Sequence, residues 1–110
     1  MTNDRKFVFE QREWNLLHNV LNEILYGFEM QDIDSTIGIK RPKLELLLEQ
    51  LHHSPQENTQ VELSMQQTKA FRNALVETLR ELGRDEFQTR TGYSFDEGEQ
   101  ILKYLERITK

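Results

Sequence analysis

The sequence predicts a mainly α protein built from two tandem helical units. Each unit is a long helix, a short helix, a glycine turn and a further helix, and the two are related by a pseudo-twofold axis. Three observations predict it. Shifting the chain by 54 residues aligns its halves without a gap: Leu17, Leu21 and Leu25 fall on Phe71, Leu75 and Leu79, Gly38 on Gly92, and Leu47, Leu48 and Leu51 on Ile101, Leu102 and Leu105. Only 8 positions are identical, so the weight rests on the shared apolar pattern rather than on identity. Within each half, apolar residues recur three and four apart, the spacing of one helix face. Helix-start signals and glycines also stand at matching places in the two halves.

The units span 7–54 and 61–108 of a single domain, residues 1–110, which is an ordinary domain length. The segment "HHSPQENTQ", 52–60, is the linker, marked by its proline and polar residues.

Each unit opens on a short extended piece, "KFVFE" or "QVELS", with alternating apolar side chains. The two pieces are placed to pair as an antiparallel two-stranded ribbon. The long helix follows. Ser64 with Gln67 forms a capping box for the second unit, while Glu10 with Glu13 takes that place in the first. Phe9 and Trp14 stand where a hydrophobic staple joins strand to helix. The first long helix carries Trp14, Leu17, Leu21, Ile24 and Phe28 on one stripe, widened by Leu16, Val20 and Leu25. The second carries Phe71, Ala74, Leu75, Thr78, Leu79 and Leu82.

A short helix comes next, with Asp85 and Gln88 as a capping box in the second unit, ending at Gly38 or Gly92. Both glycines suit the left-handed position that closes a helix. In the last helix Ser94 and Glu97 form a strong capping box. Lys40 replaces that serine in the first unit, and Pro42 sits in the first turn, where it is tolerated.

Composition bounds the function. The chain has no cysteine, which excludes disulfides, thiol nucleophiles and thiolate metal sites. The longest purely apolar run is three residues, Leu46 to Leu48, so no membrane span is expected. With no leader-like apolar stretch at the N-terminus, a cytoplasmic setting is expected. Net charge is −5, shared between 6 basic and 9 acidic residues in 1–55 and 8 basic and 10 acidic in 56–110. Neither half is a basic module drawn to phosphate backbones.

A short helix, a glycine turn and a second helix also describe the DNA-reading helix–turn–helix. In the first unit Lys40, Arg41 and Lys43 stand at the front of the second helix, where such a motif touches phosphate or bases. The second unit has Phe95, Asp96, Glu97 and Glu99 there, which repel phosphate. A DNA-binding regulator is therefore the alternative reading, not the first.

Catalysis ranks third. His52 and His53 are neighbours and diverge by roughly 100° on a helix, which rarely suits one metal. His18 lies on the long helix between Asn15 and Asn22. Glu23 and Glu77 each follow an asparagine, Asn19 or Asn73, by four residues, a spacing at which side chains bond along one helix face. No nucleophile elbow and no glycine-rich phosphate loop is present, so no catalytic residue, metal or cofactor is expected.

Differences between matching positions point to what one unit does beyond folding. Trp14 falls on Thr68, Tyr26 on Arg80 and Leu46 on Gln100; in the other direction Phe95 falls on Arg41 and Tyr104 on Gln50. Aromatic residues are enriched at protein interfaces. Trp14 and Tyr26, twelve residues apart, lie about 120° from one another on a regular helix, so one of them is left for another surface. The resulting expectation is a non-catalytic protein of regulatory, adaptor or immunity type, binding another protein or itself, with a twofold homodimer as the simplest assembly.

Overall fold

The computed structural model describes residues 5–27, 30–52 and 60–110. Phe28, His53 and the linker positions 53–59 lie outside the described residues. The order is β1 (Lys6–Phe9), α1 (Gln11–Asn22), a π-helical turn (Glu23–Gly27), α2 (Ile33–Ile37), α3 (Arg41–His52), β2 (Val61–Ser64), α4 (Met65–Thr91) and α5 (Phe95–Ile108). The protein is mainly helical with a small two-stranded antiparallel sheet.

In that sheet Phe7 stands opposite Leu63 and Phe9 opposite Val61. Alternation turns Phe9 and Leu63 into the core and leaves Val8 exposed. A two-stranded ribbon is marginal by itself in water. Here Phe9 is held edge-on by Phe71 and Tyr104, with ring centroids 5.9 and 6.5 Å away.

The caps expected at α1, α4 and α5 form. Ser64 Oγ accepts from the Gln67 N–H at 3.1 Å, and Gln67 Oε1 accepts from the Ser64 N–H at 2.9 Å. Ser94 and Glu97 repeat both bonds at the start of α5, at 3.1 and 2.9 Å. At α1, Glu13 Oε1 accepts from the Glu10 N–H at 2.9 Å. In α3, where Lys40 lacks a capping oxygen on its side chain, Asp34 Oδ1 of α2 accepts from the Arg41 N–H at 3.2 Å. Gly38 and Gly92 close their short helices at φ 97° and 80°, each N–H donating to the carbonyl four residues back, Asp34 and Gln88.

Three details differ from the sequence expectation. The stripe through Ile24 does not continue as regular helix: α1 ends at Asn22 and the chain widens into a π-helical turn. That turn buries Glu23, Ile24 and Leu25 in succession, which one face of a regular helix does not do. Next, the break expected between the long helix and the second short helix falls at Gly83, which adopts φ 73° and ψ −177°. The second short helix thus starts directly after Gly83, and Asp85 lies within it rather than capping it. Finally, the asparagines and glutamates do not pair along their helix. Asn19 Nδ2 donates to the Thr91 carbonyl at 2.8 Å and Asn73 Nδ2 to the Ile37 carbonyl at 2.9 Å. Both carbonyls end a short helix just before its glycine, where intrahelical partners have run out. Glu23 instead meets Arg90 at 2.9 Å, and Glu77 meets Arg80 at 3.5 Å.

One apolar cluster joins residues of both halves, from Phe9 and Leu21 to Phe71 and Leu105. α1 packs on α3 and α4, α2 packs on α4, and α4 packs on α5. Side-chain sizes are matched within it. Gly98 on α5 is buried, and a Cβ there would lie 2.8 Å from the Phe87 ring. At the positions 54 residues earlier stand Ile33 and Leu44, isomeric side chains that are both buried.

Candidate interaction surface

The residues singled out by the sequence are distributed between core and surface. Trp14 is 6% exposed and belongs to the core. Phe95 is half-buried against Phe87, with centroids 6.1 Å apart, and the Arg84 guanidinium covers it at 4.9 Å. Tyr104 is half-buried against Phe9, with Arg107 over its ring at 5.7 Å. Tyr26 and Leu46 are at the surface, 62% and 61% exposed. The Tyr26 hydroxyl donates to Glu45 Oε2 at 3.3 Å, which lays the phenol against α3, the helix that carries Leu46.

The π-helical turn places Tyr26. Two arginines from elsewhere in the chain hold that turn. Arg90 donates to Glu23, a residue only 8% exposed, and a Cβ at Gly27 would collide with the Glu23 carboxylate. Arg41 Nη2 donates to the Leu25 carbonyl at 2.8 Å, and its guanidinium lies 5.8 Å from the Tyr26 ring centroid. Arg41 Nε also stands 3.6 Å from Glu45.

This bears on the basic tip. Lys40, Arg41 and Lys43 are all exposed at the front of α3. The Arg41 side chain, however, is held by Leu25 and Glu45, and its backbone N–H by Asp34. Its first duty is to fasten α3 to the π turn. At the front of α5 the carboxylates meet in-chain cations: Glu97 with Arg12 at 3.1 Å and Asp96 with Arg84 at 3.2 Å. The backbone N–H of Ser94, the Arg12 guanidinium and the Ser94 hydroxyl hold Glu97 below the usual carboxylate range.

Between α1 and α3 runs a cleft of about 420 Å³. α1 contributes His18 and Asn22, and the π turn contributes Tyr26. α3 contributes Glu45, Leu48, Glu49 and His52. The imidazoles of His18 and His52 stack across one end, with centroids 5.8 Å apart and planes 20° apart. The Tyr26–Glu45 hydrogen bond spans the other. Leu48 is the apolar floor and packs on the core. Sequence reasoning placed His18 and His52 on separate helices and did not join them. Among the described residues, no group of three or more His, Cys, Asp or Glu side chains is arranged to hold a metal ion. No helix there is long and apolar enough to cross a membrane.

No family model, curated protein or solved structure matches the chain.

Proposed function

We propose that this is a non-catalytic protein of regulatory, adaptor or immunity type that works by binding another protein or a second copy of itself. The contact surface is the first unit, around Tyr26 and Leu46. The observation that carries the reading is their exposure, 62% and 61%, on the π turn and on α3, which the Tyr26–Glu45 hydrogen bond joins, while the other large apolar candidates pack within the chain. Tyrosine at such a place supplies apolar area and a polar tip at little entropic cost.

In the same reading the domain is two tandem units about a pseudo-twofold axis. Its support is reciprocity at an offset of 54. Asn19 reaches Thr91 while Asn73 reaches Ile37, and Phe7 pairs with Leu63 while Phe9 pairs with Val61. One unit then folds much as the other, and Tyr26 and Leu46, which replace Arg80 and Gln100, belong to function rather than to folding. A cytoplasmic site of action goes with this reading and suits a cysteine-free chain. DNA binding ranks below it, because Arg41 is engaged within the fold and the net charge is −5.

The test is sedimentation equilibrium on the wild type and on Tyr26→Arg, which installs the residue found 54 positions later. A twofold dimer at micromolar concentration that the substitution dissociates is the expected result. A wild type that remains monomeric rules out self-association and leaves a different protein as the partner.

A further inference from the structure

The cleft between α1 and α3 differs in charge from the matching positions of the second unit. Its lining holds two carboxylates, Glu45 and Glu49, and no lysine or arginine among the described residues. Fifty-four residues on, His18, Tyr26 and Glu49 are replaced by Arg72, Arg80 and Lys103. Glu45 is kept as Glu99, and His52 becomes Glu106. The second unit therefore supplies three cations of its own beside two carboxylates. The first unit has an imidazole, a phenol and a carboxylate at the positions of those three cations, and a second imidazole at the position of Glu106. In the second unit two of those arginines are used within the fold: Arg72 donates to Thr109 Oγ1 at 2.9 Å, and Arg80 pairs with Glu77.

We propose that this cleft is a receptor for an arginine side chain presented by a partner protein, an inference that rests on the protein-binding reading above. A guanidinium is planar, so it can lie on an aromatic face while its edge meets a carboxylate. The molecule already shows this recognition once: Arg41 lies over Tyr26 with its edge toward Glu45, on a neighbouring cleft that shares the Tyr26 wall. The cleft between α1 and α3 offers the same elements to a second guanidinium. Glu49 provides the carboxylate, Tyr26 and the stacked imidazoles provide flat walls, Asn22 provides a further acceptor, and Leu48 provides a floor for the methylene stem. A lysine ammonium uses the charge but not the flat walls, so arginine is preferred. The net charge of −5 favours encounter of the chain with a basic partner.

The experiment is a heteronuclear NMR titration of the full chain with three capped tetrapeptides, Gly-Arg-Arg-Gly, Gly-Lys-Lys-Gly and Gly-Asp-Asp-Gly. The arginine peptide is expected to give saturable shifts confined to the neighbourhood of His18, Asn22, Tyr26, Leu48 and Glu49. The lysine peptide binds more weakly and the aspartate peptide does not bind. Glu49→Gln should weaken the arginine peptide about three- to fivefold, the scale of an exposed ion pair. Glu99→Gln should leave its binding unchanged. Shifts spread evenly over the acidic surface, equal binding of the arginine and lysine peptides, or indifference to Glu49→Gln overturns the proposal. If the arginine peptide fails while Tyr26→Arg still abolishes association with a protein, the arginine receptor falls and the protein-binding reading stands.

Discussion

Replacing Gly98 by alanine reverses the usual consequence of that change. Glycine inside a helix is ordinarily less stable than alanine by about 1 kcal/mol, so Gly→Ala normally stabilises. Gly98 lies within α5 and is buried. A Cβ there would sit 2.8 Å from Cε2 and Cζ of Phe87 and 3.1 Å from Cδ2 of Leu79. Carbon atoms in good contact are about 3.5–4.0 Å apart, so the ring must retreat by roughly 0.7 Å. Phe87 has no exposed surface and is flanked by Phe95 at 6.1 Å, so the ring has no open side toward which to move. Overpacking of this kind costs about 1–3 kcal/mol. Set against the propensity gain, the net loss for Gly98→Ala is about 1 kcal/mol. Urea denaturation followed by far-UV circular dichroism reads it. The reasoning also requires coupling: Phe87→Ile makes room, so the double variant should be less destabilised than the sum of the singles by about 1 kcal/mol. A Gly98→Ala protein more stable than wild type by the full helix-propensity gain refutes the argument.

Other outcomes follow from the same structure. Gly92 has φ 80° with no atom near the place a Cβ would occupy, so Gly92→Val is destabilising through backbone strain alone, by about 1 kcal/mol or more; unchanged stability counts against the left-handed closure. Asn19→Ala and Asn73→Ala each orphan a helix-ending carbonyl and should each lower stability by about 1 kcal/mol in the same urea assay; a loss at one site only would break the reciprocity. Because the folded-state pKa of Glu97 is depressed, its contribution is present above the unfolded pKa and is lost as pH falls through the folded value. Stability should therefore decline on acidification below the ordinary carboxylate range, and Glu97→Gln should flatten that part of the profile in thermal melts. Duplex DNA binding measured by fluorescence anisotropy at low salt should be absent or weak; tight, salt-sensitive binding lost when Lys40, Arg41 and Lys43 become glutamine would restore the DNA reading.

Much of the fold is legible because the signals are local. Ser64 with Gln67, and Ser94 with Glu97, cap their helices with side chains three residues from the backbone they satisfy. Gly38 and Gly92 need only a short helix before them to adopt positive φ. Strand alternation in "KFVFE" and "QVELS" puts Phe9 and Leu63 inward without reference to any distant residue. What was not legible depends on pairs remote in sequence. The π turn is held by Arg90 and Arg41, 67 and 16 residues from the groups they meet, and no spacing rule in one helix reveals such partners. The sequence separates the second short helix from the long one but puts its cap at Asp85, and the break falls at Gly83, whose φ is positive. The asparagine–glutamate spacing suggested a bond along the helix, but the carbonyls before Gly38 and Gly92 compete for the amides and win. At the surface, the separation of Trp14 from Tyr26 implied that one faces outward. Which one was decided by the π turn and by the position of α3. The cleft itself, with His18 against His52, exists only once two helices are packed together.

The central claim is that the chain acts through a protein partner held at the face around Tyr26 and Leu46. It is tested most directly by affinity capture from the native host at modest salt, after nuclease treatment. Wild type is compared with Tyr26→Arg/Leu46→Glu by quantitative mass spectrometry. The double variant should show unchanged far-UV circular dichroism, because both side chains are largely exposed. The account predicts a defined protein, or further copies of this chain, retained by the wild type and lost from the double variant. Equal recovery on both would contradict it, as would retention of nucleic acid alone when nuclease is omitted.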